Sequence, residues 1–271
     1  MNTPIQPHNE RARSVWNAPA GRYDEISRSI ADAIEHAVER LHATAGERVL
    51  DLATGTGWAS RSIAHRCPGA RVTGVDIADQ MLEFARAAAL RQELAIDYRM
   101  GDAERLPFAD GEIDAVISTF GVMFASRPEA AVSELARVVK PGGRVVLASW
   151  KDDSNVAAMF GVMKPFLPAP TTPPPASPFA WGKVERLHEL LDHAFDIRIE
   201  DGTNQFRYAS GEQAWQLWLN HYGPTKALAQ SLDDARRDEF KNSLIRWHET
   251  FTSPLGYDQP RSYWITRAVR K

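Results

Sequence analysis

Glu47-Arg-Val-Leu-Asp-Leu-Ala-Thr-Gly-Thr-Gly57 is the stretch on which the reading of this chain turns. Val49, Leu50 and Leu52 form a short apolar run of the kind that makes a buried strand. Asp51 interrupts that run, where a carboxylate without partners would be costly. Gly55 and Gly57 supply a tight turn, and Trp58-Ala-Ser-Arg-Ser-Ile-Ala-His65 continues as a helix. Open α/β sheets use a strand, a glycine turn and a helix to present backbone to a nucleotide-like ligand. A second acid, Asp76, closes the next short strand, Arg71-Val-Thr-Gly-Val-Asp-Ile77. It follows Gly57 by 76 − 57 = 19 residues, close to the roughly 20-residue offset at which an acid takes ribose hydroxyls. The pattern predicts a site for an adenosine-containing cofactor.

The glycine turn reads Gly-Thr-Gly-Trp-Ala-Ser, with Ser60 where a dinucleotide fingerprint has its third glycine. That glycine permits close helix–strand packing beside a pyrophosphate, so its loss weakens a dinucleotide reading. Composition narrows the rest. Of 271 residues, 44% are hydrophobic, enough for a sizeable core, and the net charge is 32 − 35 = −3. Nucleic-acid binding needs clustered Lys and Arg to neutralise phosphates, and no such run is present. Cys67 is the single cysteine, which leaves no disulfide framework and no multi-cysteine metal site. No stretch approaches a membrane span, and no signal-peptide core opens the chain. The expectation is a cytoplasmic protein, monomer or homodimer, without metal, membrane or nucleic-acid partners.

Residues 1–20 read as a polar, proline-bearing arm. A helix over 23–42 follows, with Ile26, Ile30, Ile34, Val38 and Leu41 on one face. Strands are then predicted at 47–52, 71–76, 95–99, 113–119 and 143–149, and helices at 58–66, 79–91 and 128–139. Such alternation implies an α/β fold, a mostly parallel sheet with helices on both faces. Beyond Trp150 the pattern loosens. Helices are expected at 154–164, 181–193, 211–221 and 232–251, and strands at 196–208 and 263–270. Seven prolines lie between Pro165 and Pro178, which reads as a stiff, extended loop.

Four blocks in order give the chain a resemblance to class I S-adenosylmethionine (SAM)-dependent methyltransferases, of the small-molecule type related to quinone-biosynthesis enzymes. They are Val49–Gly57, Gly74-Val-Asp-Ile-Ala-Asp-Gln-Met-Leu82, Gly101-Asp-Ala-Glu-Arg-Leu-Pro-Phe108 with Ile113–Phe120, and Leu135-Ala-Arg-Val-Val-Lys-Pro-Gly-Gly-Arg-Val-Val-Leu147. Together they span about residues 45–150. The resemblance implies a Rossmann-like sheet of seven strands, the last antiparallel and inserted into the sheet, with helical insertions as a cap. It divides the chain into an N-terminal arm and helix over the cofactor site (1–45), a SAM-binding core (46–150), and the end of the sheet (151–271). The caps for the acceptor would be 151–180 and 209–255. By the same resemblance the turn from Asp51 through Ala53, Thr54 and Gly55 to Gly57 holds the methionine part of SAM. Asp76 takes the ribose hydroxyls, Ile77 and Met81 pack nearby, and Asp102 and Ala103 meet the adenine amino group. Thr119, Phe120 and Gly121-Val-Met-Phe124 lie near the sulfonium, and Trp16 and Tyr23 close the pocket.

A methyltransferase must align acceptor, methyl group and sulfur and exclude water, so a dedicated base is optional. If one exists, the candidates are His221 and Tyr222, which share a helix face with Trp218, and His248 beside Trp247. The motifs of base N-methylation and cytosine methylation are absent from Ser118–Phe124 and around Cys67. That leaves an apolar or aromatic small-molecule acceptor, quinone-like or from secondary metabolism, methylated on O, N or C. The competing readings are an NAD(P)-binding oxidoreductase, for which no Tyr-x-x-x-Lys pair follows the fourth strand, and a non-catalytic binding protein of the same fold.

Overall fold

In the computed structural model, which describes residues 4–168 and 176–271, the chain folds around one sheet in the order β3-β2-β1-β4-β5-β8-β6. The strands β1 (Arg48–Leu52), β2 (Arg71–Asp76), β3 (Asp97–Met100), β4 (Ile113–Thr119) and β5 (Val139–Trp150) pair in parallel. β8 (Gly256–Arg270) lies antiparallel between β5 and β6 (Phe195–Tyr208). The two-residue strand β7 (Thr252–Ser253) only closes a turn onto β8. The inserted, reversed last strand is therefore present as expected.

All four residues Val49, Leu50, Asp51 and Leu52 are buried. Neighbouring strand residues point to opposite faces, so both faces of β1 are covered, as a parallel sheet requires. Helices α3 (Ala31–Leu41) and α4 (Trp58–Arg66) pack on each other and on the central strands. α5 (Asp79–Arg91) packs on β2 and β3, and α6 (Pro128–Val138) and α8 (Val184–Leu191) pair beside β5 and β6. The helix predicted over 23–42 is two helices, α2 (Asp24–Ser29) and α3, broken at Ile30 (φ −122°, ψ 17°). The break has a packing cause. Ile26 joins a second hydrophobic core, whereas Ile30 and Ile34 join the sheet's core.

That second core lies among the helices inserted outside the sheet. β6 and β8 keep pairing past the end of β5, whose last partner pair is Trp150–Tyr263. The projecting hairpin carries α7 (Asn155–Met163), α9 (Gly211–His221), α10 (Gly223–Ser231) and α11 (Asp234–Glu249). Met159, Phe166, Phe206, Trp215, Trp218 and Phe240 fill the space between them. Polar caps start these helices: Ser154, Ser210 and Asp233 accept from Ala157 N, Gln213 N and Arg236 N. α10 was not expected, and β8 begins at Gly256 rather than 263. The arm contains its own helix, α1 (Glu10–Asn17). Most of the proline stretch, residues 169–175, lies outside the described residues.

Candidate functional site

A pocket of about 960 Å³ of empty space, counting its open mouth, lies at the carboxyl ends of β1, β2 and β4, where open α/β sheets bind ligands. The turn after β1 makes its floor. Ala53 (φ 56°), Gly55 (φ 57°) and Gly57 (φ 78°) are all left-handed, and Phe120 after β4 is too (φ 58°). Non-glycine residues in that region mark a backbone held by its surroundings. Here the cause is close approach: a Cβ on Gly121 would sit 2.4 Å from that of Ala53.

Asp51 holds this turn from beneath. Its Oδ2 accepts from Thr54 Oγ1 (2.6 Å), Ser60 Oγ (2.6 Å) and Ser60 N (2.9 Å). Burial pushes its carboxyl above the usual range, and these bonds oppose that shift. Asp76 Oδ2 accepts from Gly55 N (2.7 Å) and its Oδ1 from Ala78 N (2.8 Å). Burial raises the Asp76 carboxyl to about 6. Asp102 Oδ2 accepts from Gln6 N (3.0 Å) and Asn9 Nδ2 (2.9 Å), and its Oδ1 from Glu104 N (3.0 Å).

Most of the predicted cofactor residues meet in this pocket. Ala53, Thr54 and Gly55 line it from β1, Asp76, Ile77 and Met81 from β2 and α5, and Asp102 and Ala103 from the loop after β3. Thr119, Phe120 and Phe124 line it from β4, and Trp16 and Tyr23 from the arm. Asp51 and Gly57 do not line it; they lie behind the turn that does. His221, Tyr222 and His248 are also off the lining. His221 Nδ1 sits 3.1 Å from Leu217 O of its own helix. Tyr222 is buried one layer out, its ring 5.7 Å from Trp16 and 6.4 Å from Tyr23. His248 is fully buried in the cap, 2.9 Å from Tyr257 Oη, and burial pushes it down to about 4.

Asn9, Ser27 and Trp58 line the pocket without a sequence signal. Asn9 is the most connected of them. It bonds Asp102 through Nδ2, and its Oδ1 accepts from Ser126 Oγ (2.6 Å). Two further latches fasten the arm: His8 to Glu104 (2.6 Å), and Arg13 and Asn17 to Asp79 (3.0 and 2.8 Å). Replacing Asn9 with alanine is expected to leave the sheet intact and to speed limited proteolysis within residues 4–20 several-fold, because the start of α1 loses a buried polar anchor. An unchanged cleavage rate would show that the outer latches suffice.

The donors and acceptors on the lining select the ligand. The N–H groups of Gly55, Gly57 and Ser60 are already spent on Asp76 Oδ2, Thr54 O and Asp51 Oδ2, which leaves the turn poorly equipped for a pyrophosphate. No Lys or Arg lines the pocket among the described residues. Two buried carboxylates, apolar walls and aromatic rings instead suit a nucleoside joined to a cation. Gly55 forms part of that cradle, since a Cβ there would enter the space between Met81 and Tyr23.

The comparisons agree with this geometry. Residues 50–147 match the family model described as a methyltransferase domain. An uncharacterised protein of Mycobacterium tuberculosis is 35% identical over 194 residues, 70% of this chain and 69% of the relative. The demethylmenaquinone methyltransferase of Deinococcus radiodurans is 32% identical over 163 residues, 58% of this chain and 67% of that enzyme. The chain belongs to the class I SAM-dependent methyltransferases. Its cofactor is SAM. Among solved structures, the YcgJ protein of Bacillus subtilis superposes with a TM-score of 0.64 at 17% identity, covering 89% of this chain and 99% of that one. At that identity the likeness is one of fold. No helix among the described residues is long and apolar enough to cross a membrane. No group of three or more His, Cys, Asp or Glu among them could hold a metal ion.

Proposed function

We propose that this methyltransferase acts on an apolar or aromatic small molecule, a quinone-like ring being the favoured class. The observation that carries the reading is the character of the lining. Among the described residues its titratable side chains are Asp76, Asp102 and Tyr23, and Trp16, Tyr23, Phe120 and Phe124 supply its aromatic wall. The demethylmenaquinone methyltransferase relatives support a ring acceptor. The proposed division of labour follows the chain: residues 1–45 close the pocket, 46–150 hold SAM, and 151–271 complete the sheet and carry the acceptor cap.

Asp76 would accept both ribose hydroxyls in the two directions left free by Gly55 N and Ala78 N. Asp102, with Asn9 beside it, would meet the adenine edge, and Ile77 and Met81 would flank the ring. Ala53, Thr54 and Gly55 would contact the methionine part, and Thr119 and Phe120 the region of the sulfonium. When bound, SAM supplies a methyl group on a sulfonium, which leaves as a neutral thioether. The chain's contribution is alignment and the exclusion of water by Trp16, Tyr23 and Phe124. Tyr222, held against Trp16 and Tyr23, would brace that wall. His221 and His248, off the lining, would act only through a rearranged cap.

Calorimetric titration with SAM, S-adenosylhomocysteine and NADH tests the cofactor half, and a screen of labelled SAM against naphthoquinols and aliphatic amines tests the acceptor half. Transfer to amines alone would overturn the ring reading. The raised Asp76 carboxyl adds a pH prediction. Ribose hydroxyls bond the charged form, so SAM affinity should be level above pH 7 and fall below about pH 6, approaching a tenfold loss per unit. A flat profile down to pH 5 would remove Asp76 from the ribose site. Gly55→Ala should keep the fold, at about 1–2 kcal/mol for its left-handed backbone, yet weaken SAM roughly tenfold or more, about 1.4 kcal/mol, because the new methyl group occupies the cradle.

A further inference from the structure

Arg261, on β8, is 1% exposed, yet its hydrogen bonds among the described residues go to no carboxylate. Its Nη2 donates to Ser29 O (2.6 Å) and to the Asn204 side-chain oxygen, both neutral, and its Nε has no partner. The guanidinium lies 4.4 Å from the ring centre of Phe206 and 5.5 Å from that of Trp150. Trp150 stacks on Phe120 at 4.0 Å, and Phe120 lines the pocket. Ser29, whose carbonyl the arginine holds, stands between Ser27 and Ile30, which also line it. Arg261 thus stands behind the pocket wall, with Trp150 and Phe120 between it and the cavity on one path and the Ser29 carbonyl on the other. A buried cation without a counter-ion is costly unless a charge compensates it, and burial pushes this one down to about 9. The groups that face it are Asp32 of α3, Tyr208 of β6, Tyr257 of β8 and Tyr23. Asp32 is the only acid of the four, and it is bonded to the Asn204 amide rather than to the guanidinium.

A second observation concerns the proton. The lining holds no His, Lys, Glu or Cys that could take one. The residues outside the description, Met1–Thr3 and Ala169–Pro175, carry no titratable side chain. Tyr23 is itself pushed above its usual range by burial and by Asp76.

Resting on the methyl-transfer reading above, we propose that the acceptor binds as an oxyanion, the conjugate base of an acidic phenol, hydroquinone or enol, and that Arg261 is the positioning residue whose charge favours that form. The acceptor's proton leaves to bulk water before entry, so attack by the oxygen needs no protein base; attack by the conjugated ring carbon leaves a neutral dienone, whose C–H proton then passes through water to the oxygen as the ring becomes aromatic again. The pocket is then polarised, negative at the nucleoside end and positive behind the acceptor end. An ammonium acceptor meets the opposite field and would still need a base.

The test uses 4-nitro-1-naphthol, whose anion absorbs in the visible, bound to the full chain saturated with S-adenosylhomocysteine. The expected result is a bound dye that titrates about one pH unit below the free dye, a tenfold preference for the anion. Arg261→Met should abolish the shift while S-adenosylhomocysteine affinity holds, and Arg261→Lys should keep part of it. Should Arg261→Met fail to fold, Asp32→Asn serves in its place and should enlarge the shift. A bound dye titrating at or above the free value overturns the proposal, as does no binding at about 1 mM dye. A shift that survives in Arg261→Met, or is not enlarged in Asp32→Asn, removes Arg261 from it. Loss of S-adenosylhomocysteine binding in the wild-type chain would instead strike the methyltransferase reading itself.

Discussion

Asp76→Ala is expected to reduce SAM affinity by at least about 100-fold, since hydrogen bonds to a charged acceptor contribute about 1.5–3 kcal/mol each and two ribose hydroxyls lose theirs. The same change should barely alter the stability of the free protein at pH 7. The folded carboxyl stands near 6 against an ordinary 3.8. A value raised in this way favours folding fully below the ordinary value and loses that contribution as pH rises through the folded one, about 3 kcal/mol across the interval from 4 to 6. Alanine removes that cost and leaves Gly55 N and Ala78 N without acceptors, at about 1–3 kcal/mol each. The two effects nearly cancel. Calorimetry with SAM, beside urea unfolding, separates them: wild-type affinity in a folded variant would contradict the ribose assignment.

Gly57→Ala should do the reverse. Gly57 does not line the pocket, but a Cβ on it would stand 2.3 Å from Tyr98 Oη and 3.0 Å from Ala85 Cβ. Tyr98 has little room to retreat, because its ring also fills the space over Gly74, where a Cβ would lie 2.6 Å away. The two glycines form a slot for one buried ring. Left-handed backbone costs about 1–2 kcal/mol and overpacking about 1–3 kcal/mol more, so a loss of roughly 2–5 kcal/mol is expected. Chemical denaturation measures it directly. A loss below about 1 kcal/mol would mean that Tyr98 moves freely and the slot is no constraint.

The contrast between Gly55 and Gly57 shows what the sequence could convey. Both glycines were legible as a turn, because φ > 0 and close packing demand them. Which of the two faces the ligand was not, since that depends on Tyr98 and Met81, far off in the chain. The parallel sheet was legible because apolar runs alternating with amphipathic helices have few other solutions. The cap was less so. Its helices bury against a projecting hairpin whose start at Gly256 includes Asp258, Gln259 and Pro260, residues that do not announce a strand. Asn9 carried no signal at all, being one polar residue in a polar arm until Asp102 meets it. Arg261 read as one charge among many; only its burial beside Phe206 and Trp150 sets it apart.

The ladder between β6 and β8 has a consequence for how such an enzyme can diversify. The chain leaves the hairpin at Tyr208 and returns at Tyr257, and these two residues are partners across the ladder. Whatever lies between them begins and ends at one fixed point. The entropy of closing such an excursion grows only slowly with its length, by about 0.6 kcal/mol per doubling. Helices can therefore be lengthened, lost or replaced there across generations while the turn that carries Gly55 and the strand that ends in Asp76 stay untouched. Under the proposed division of labour, a lineage would change what it methylates by rewriting one excursion, and keep the donor site it inherited.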